Sequence, residues 1–312
     1  MLSRRSVRVK VMQLLYTLSR DESITFDQAV KLYWKSIEES YELFLYNIYN
    51  IIQIAKISTE DYQKRKSKHL PSDFDKAFTS KLWDNVMIQD LANNKTLARK
   101  FESYRFESKS DKDHYRTIYY EFAKEEAYTQ FILKQTSHDE NLELLLELFR
   151  FCRKNELYNE ILEDNYANWE DDKSLIIGAI KKVLKELPAS DESFFLSHFP
   201  DKETTKEYGE WLFTKTFEED QALLSLIEPV LKNWDAERVA ILDMIMLKMA
   251  IAEFLYCPTI PTKVTINEYV ELAKNYSTAK SKEFINGILD KLLEQLLQEN
   301  KIVKEGRGLL DE

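Results

Sequence analysis

An all-α fold follows from three features of this 312-residue sequence. Only 5 glycines and 6 prolines are present, too few for the tight turns of a sandwich, a barrel or a doubly wound sheet. Leu, Glu, Lys, Ile and Ala recur over long stretches with few breakers. Apolar residues repeat at offsets of three and four, the spacing of one helix face. An apolar content of 44% fills a core and excludes wholesale disorder.

Residues 4–18 predict a first amphipathic helix, with Val7, Val11, Leu14 and Leu18 on one stripe. A long helix follows over about 26–56, carrying Val30, Ile37, Tyr41, Phe44, Leu45, Ile48, Ile51 and Ile52. The polar stretch 58–73, with Lys64, Arg65, Lys66, Lys68 and then Pro71, reads as a loop. Helical segments are predicted near 75–92, 95–106, 112–135, 139–153, 155–168 and 173–187, with Pro188 and Pro200 bracketing an irregular stretch. Further helices are predicted near 204–217, 219–233, 236–256, 266–275 and 279–299. The 236–256 helix is apolar on nearly every side, which places it in the middle of a bundle. Pro258 and Pro261 end it. Thr265 and Glu268 have the spacing of a capping box, with Val264 and Tyr269 as its hydrophobic staple. Gly287, in the last helix, predicts close approach of a neighbour, with Asn286 bonding backbone across the bundle.

Charge and chemistry narrow the function. The net charge of −10 excludes a general polyanion binder. Residues 139–172 hold 11 acids against 3 bases and read as a solvated face. Cys152 and Cys257 are core fillers, with neither a disulfide framework nor a zinc spacing. The longest uncharged run, Leu43 to Ala55, is too short to span a bilayer and contains Asn47, Asn50 and Gln53, so it reads as a buried helix. With no signal-peptide pattern after the charged start, a cytoplasmic protein is expected. No Gly-rich phosphate loop, nucleophile elbow or histidine cluster occurs; His138-Asp139-Glu140 reads as a solvated turn. A non-enzyme without metal or cofactor is expected.

Two basic segments stand out against the acidic whole. The first twenty residues hold Arg4, Arg5, Arg8, Lys10 and Arg20 and no acid. Arginines at offsets of three and four share a helix flank and can fork onto phosphate; a basic start that merely solubilises the helix end is the even alternative. The segment Lys274 to Lys282 combines three lysines, Tyr276 and several hydroxyls, which suits an unpaired RNA base and its backbone. By itself it reads more simply as an ordinary turn.

Several motifs together resemble the NusB family of bacterial transcription antitermination factors. They are Arg4-Arg5-Ser6-Val7-Arg8 with Val11 to Tyr16, then Asn233 to Asp243, Leu247 to Leu255, Ile260 to Lys274 and Ser281 to Asp290. The resemblance covers roughly 1–57 and 205–298; 58–204 has no counterpart and reads as a helical insertion, and 299–312 as a tail. It implies a double helical bundle acting in antitermination of ribosomal RNA operons. The partners implied are NusE (small-subunit ribosomal protein S ten), single-stranded boxA-type RNA, and the transcribing RNA polymerase complex with other Nus factors. By position, Arg4, Arg5, Arg8, Tyr276, Lys280, Ser281 and Phe284 would touch RNA, and Tyr16, Glu237 and Asp243 would face NusE. Ser6 stands where the family's basic run often continues, and Lys280 where other members can carry an acid. A NusB-like domain serving ribosomal RNA methylation, or a helical interaction scaffold, are the alternatives; the first would need a methyl-donor pocket and a cysteine motif that are not seen in the sequence.

Overall fold

The computed structural model describes residues 2–231 and 239–311, and these are helical with no strand among them. The helices are α1 (Arg4–Arg20), α2 (Phe26–Lys66), α3 (Asp73–Ala77), α4 (Val86–Asn93), α5 (Lys95–Ser103), α6 (Lys112–Phe122), α7 (Glu126–Leu133), α8 (His138–Cys152), α9 (Glu156–Asn165) and α10 (Trp169–Glu186). A π-helical run, Glu203–Glu210, leads into α11 (Trp211–Glu218). Then come α12 (Asp220–Ile227), α13 (Ile241–Tyr256), α14 (Thr262–Tyr276) and α15 (Ser281–Gln298). The chain divides into two compact units: one of residues 38–199, the other of 2–37 and 200–312. The sequence-based boundaries at 57/58 and 204/205 instead follow the motifs.

In the 38–199 unit, the later part of α2 is the core mast. Tyr41, Phe44, Leu45, Ile48, Ile51, Ile54 and Ile57 are all buried. Its two buried asparagines accept from tyrosines: Tyr158 donates to Asn47 Oδ1 at 2.8 Å, and Tyr115 to Asn50 Oδ1 at 2.8 Å. The predicted loop at 58–73 is corrected here, because α2 continues to Lys66. Asp61 is buried, accepts from the Tyr119 hydroxyl at 3.1 Å and pairs with Arg65 one turn later at 3.0 Å. A polar surface pattern hid a helix whose inner face is tied down by tyrosine. Breaks also divide the predicted segments: 75–92 becomes α3 and α4, and 112–135 becomes α6 and α7. The start of α4 has its own cap, Asn85 accepting from the amide of Met87, whereas α7 starts after Glu125 without a side-chain cap; Ser137 with Glu140 forms a full capping box at α8. Most acids of 139–172 are exposed or half-exposed; Asp172 is buried and takes bonds from Ser40 at 2.5 Å and Asn168 at 2.6 Å.

In the other unit α13 is the axis, with α1, α11, α12, α14 and α15 all packed on it. Met246, Leu247, Met249, Ala250, Ile251, Ala252 and Phe254 are buried around its whole circumference, as the sequence predicts. Residues 236–238 of the predicted helix lie outside the described residues. Two local readings are corrected. The helix α14 starts at Thr262, so Thr265 is interior, no capping box forms and Val264 is exposed instead of stapling. Among the described residues nothing lies within 4 Å of a Cβ built on Gly287, and Asn286 donates to Asp290, one turn on, at 2.9 Å instead of to backbone across the bundle. The close approach belongs to Gly209, where a Cβ would sit 2.0 Å from Tyr33 Oη and 2.4 Å from Val7 Cγ1. The Tyr33 hydroxyl in turn donates to the Thr205 carbonyl at 2.6 Å. The tail folds back: Lys304 donates to the Cys257 carbonyl at 2.9 Å and the Glu305 amide to that of Pro258 at 3.0 Å, at the C-terminus of α13.

These two glycines respond oppositely to one methyl group. Gly209→Ala is expected to destabilise by ~1–3 kcal/mol through overpacking. Gly287→Ala is expected to stabilise by ~0.5–1 kcal/mol, because an open helix interior gains propensity. Urea unfolding of both variants checks the pair; equal effects would refute the assignment.

Candidate nucleic-acid interface

The first turn of α1 sorts its three arginines by depth. Ser3 caps the helix by accepting from the Ser6 amide at 3.2 Å. Arg4 and Arg5 then lie near the surface and Arg8, one turn on, points inward. Arg4 pairs with Glu203 at 3.2 Å. Arg5 makes a two-pronged contact with Glu268 of α14 at 2.8 and 2.7 Å, while keeping 57% of its side chain exposed. Glu268, which the sequence suggested as a capping residue, is thus the tether between α1 and α14.

Arg8 is 3% exposed and forks onto Glu253 of α13, itself fully buried, at 2.7 and 2.8 Å. The same carboxylate accepts from Tyr208 at 2.6 Å, Tyr269 at 2.7 Å and Thr265 at 3.1 Å. The Arg8 guanidinium also lies over the rings of Tyr208 and Tyr269, 5.4 and 5.7 Å from their centres. Burial opposes ionisation of Glu253, but Arg8 and the hydroxyl donors outweigh it and hold the carboxyl below its ordinary value. Burial raises the Tyr208 and Tyr269 hydroxyls well above 10, with Glu253 adding to it, so both remain donors. This corrects the expectation for Arg8: its guanidinium is spent inside the protein and offers no fork to phosphate.

A second buried acid organises the other basic segment. Asp243, in the first turn of α13, accepts from Ser277 at 2.6 Å and Ser281 at 2.7 Å. Ser281 also lies 2.8 Å from the Thr278 hydroxyl and 2.9 Å from that of Ser277. Asp243 and Ser281 are therefore buried and face each other, where the sequence placed one against a partner and the other against RNA. Lys274, Lys280 and Lys282 remain exposed around this knot, and Tyr276 and Phe284 are half-buried. Three turns past Arg5, toward the other end of α1, Tyr16 is 40% exposed. Beside it, Leu15 and Leu18 join Phe217, Ile241, Met244 and Ile245 around an apolar groove of about 630 Å³. Glu237 lies outside the described residues. The signal that marks the buried acids in the sequence is their position on a helix otherwise apolar all round.

These features define a helical-bundle protein with a basic, hydroxyl-rich edge; among the described residues no cluster of metal-ligating side chains forms. The chain belongs to the NusB family. The NusB family model matches residues 170–294, beginning inside the stretch that the motifs left without a counterpart. A transcription antitermination protein NusB of Salinibacter ruber is 36% identical over 107 residues, 34% of this chain and 67% of that protein. The protein of that name from Chloroherpeton thalassium is 48% identical over 79 residues, 25% of this chain and 37% of the relative. The one from Natranaerobius thermophilus is 42% identical over 90 residues, 29% of this chain and 65% of the relative. No solved structure matches significantly.

Arg5 and Arg8 should separate cleanly in stability. Arg8→Met leaves Glu253 charged and buried and is expected to cost ~3–5 kcal/mol, whereas Arg5→Ala should cost under ~1 kcal/mol. A depressed carboxyl stabilises fully above its ordinary pKa of 4.5 and loses that contribution as pH falls through its lower folded value. Acid should therefore weaken the wild-type pair below pH 4.5, yet relieve Arg8→Met, whose unpaired Glu253 gains from protonation. Denaturant midpoints at pH 7 and pH ~4 measure both effects; parallel pH trends in the two proteins would overturn this assignment.

Proposed function

We propose that this protein is a non-enzymatic transcription antitermination factor that binds boxA-type single-stranded RNA together with NusE and supports ribosomal RNA transcription. The observation that carries this reading is the Arg5–Glu268 tether. It places the exposed arginine edge of α1 on α14, whose C-terminus leads into the Lys274–Lys282 turn. Eight residues of helix, about 12 Å, separate Glu268 from Tyr276, so the two segments form one short footprint. The name carried by the relatives and the family membership point the same way.

The RNA-contacting residues in this reading are Arg4, Arg5, Tyr276, Lys280 and Phe284, with Ser281 acting from within by holding the turn against Asp243. A half-buried aromatic can stack an unpaired base while exposed lysines hold phosphates. Such a small footprint binds weakly and reads little sequence on its own, so a partner that adds its own RNA surface supplies affinity and specificity. The apolar groove beside Tyr16 is the surface offered to NusE, and other Nus factors with RNA polymerase complete the assembly.

Titration of boxA RNA with and without NusE tests the reading: affinity should rise on adding NusE, and no gain would reject it. Arg5→Glu and Tyr276→Ala should each weaken RNA binding by roughly 1–3 kcal/mol without unfolding the protein. The logarithmic salt slope should be shallow, reflecting a handful of phosphates.

A further inference from the structure

We propose that the 38–199 unit carries a second single-stranded RNA subsite, an aromatic cleft beside α5 that takes one unpaired base. This rests on the RNA-binding reading above, but on different residues.

The cleft is about 570 Å³, a size that accommodates a planar ring. Its walls are Tyr49, Phe101 and Phe106, with ring centres 5.2 to 5.6 Å apart. Phe106 is buried, while Tyr49 and Phe101 are half-exposed and present ring surface to a ligand. Burial, with Glu107 nearby, pushes the Tyr49 hydroxyl up to about 12, so it remains a hydrogen-bond donor at neutral pH. Aromatic faces of this kind stack any base, because every base has a π-face.

The charge around the cleft is mixed: Arg105 lies on it with Glu102 and Glu107, Lys95 and Arg99 stand on the helix that leads to it, and Lys109 is held by Glu42. Residues 95–109 hold Lys95, Arg99, Lys100, Arg105 and Lys109 against Glu102 and Glu107. Lys95, Arg99 and Glu102 fall on one stripe of α5, and Glu102 lies on the cleft's edge. Lys95, Arg99 and Arg105 are exposed and make no ion pair among the described residues. Arg105 has φ 54 and ψ 42, a left-handed conformation that costs an L-residue about 1–2 kcal/mol. Its place on the cleft is thus bought against backbone preference, and glycine would fit that backbone better. The two glutamates limit the basic surface to a phosphate or two, which matches one base and its flanking phosphates, not a duplex.

The test uses the full-length protein with NusE and a single-stranded boxA RNA extended on both sides and carrying photoreactive thiouridine. Cross-links should map to residues 95–109 as well as to the α1 and α14–α15 segments. Arg105→Gly should keep or raise thermal stability while weakening binding of the extended RNA roughly threefold or more, and Arg99→Glu should weaken it similarly. Cross-links confined to α1 and α14–α15, with both variants binding as wild type, overturn the subsite and leave the main reading intact. Cross-links at 95–109 alone support the subsite and overturn the main footprint. No cross-link anywhere overturns both.

Discussion

The buried ion pair between Arg8 and Glu253 sets the geometry of the NusB-family unit. Neither group can stay charged in an apolar interior without a partner, and each has one at hydrogen-bond distance. The carboxylate draws α1, α13, α14 and the π-helical run to a single point, since Arg8, Thr265, Tyr269 and Tyr208 come from three of them and meet on the fourth. A pair of this kind gains little over a well-packed apolar core, but a shift of any of these elements leaves a charge or a hydroxyl unsatisfied. It therefore favours one register among the many that a greasy helix such as α13 could adopt.

The surface follows from that register. With Arg8 fixed inside, Arg4 and Arg5, one turn nearer the helix start, flank it on the same side of α1 and stay partly exposed. Glu268, one turn past Thr265 on α14, is then in reach of Arg5. Asp243 repeats the logic at the other end of α13, where two serine hydroxyls bind it and fold the lysine-bearing turn around it. Gly209 sets the remaining constraint, because only a residue without Cβ lets the π-helical run approach Tyr33 and Val7. Exposed charge in this unit is thus displayed by buried charge, and both sets are drawn from the same short motifs.

That coupling explains what could be read from the sequence. The helical class, α1, the all-round apolar α13 and the last helix were legible because periodicity and breakers speak directly to burial. The depth of individual arginines was not, since Arg5 and Arg8 differ only in which neighbour meets them, and Glu253 lies 245 residues from Arg8. The capping pattern at Thr265 misled for the same reason: its hydroxyl and the Glu268 carboxylate are claimed by tertiary partners, and Pro261 starts the helix earlier. Residues 58–66 looked like a loop because their exposed face is polar, while the features that keep them helical, Asp61 with Tyr119 and Arg65, include a contact from a distant helix. Local patterns register a helix end well when the backbone needs a cap, and poorly when a distant side chain does the work.

Net charge is likewise a weak guide where charges are segregated. At physiological salt a field decays over about 8 Å, so a group at the edge of α1 responds chiefly to the charges within that distance and only weakly to the net charge of the chain. What the overall −10 does affect is the approach from further away, by discouraging loose, unspecific contact with polyanions. In an acidic chain the short basic segments are therefore the places where a polyanion is attracted, and only at close range. In this unit the footprint is limited to the few cations left over after the buried acids have taken theirs.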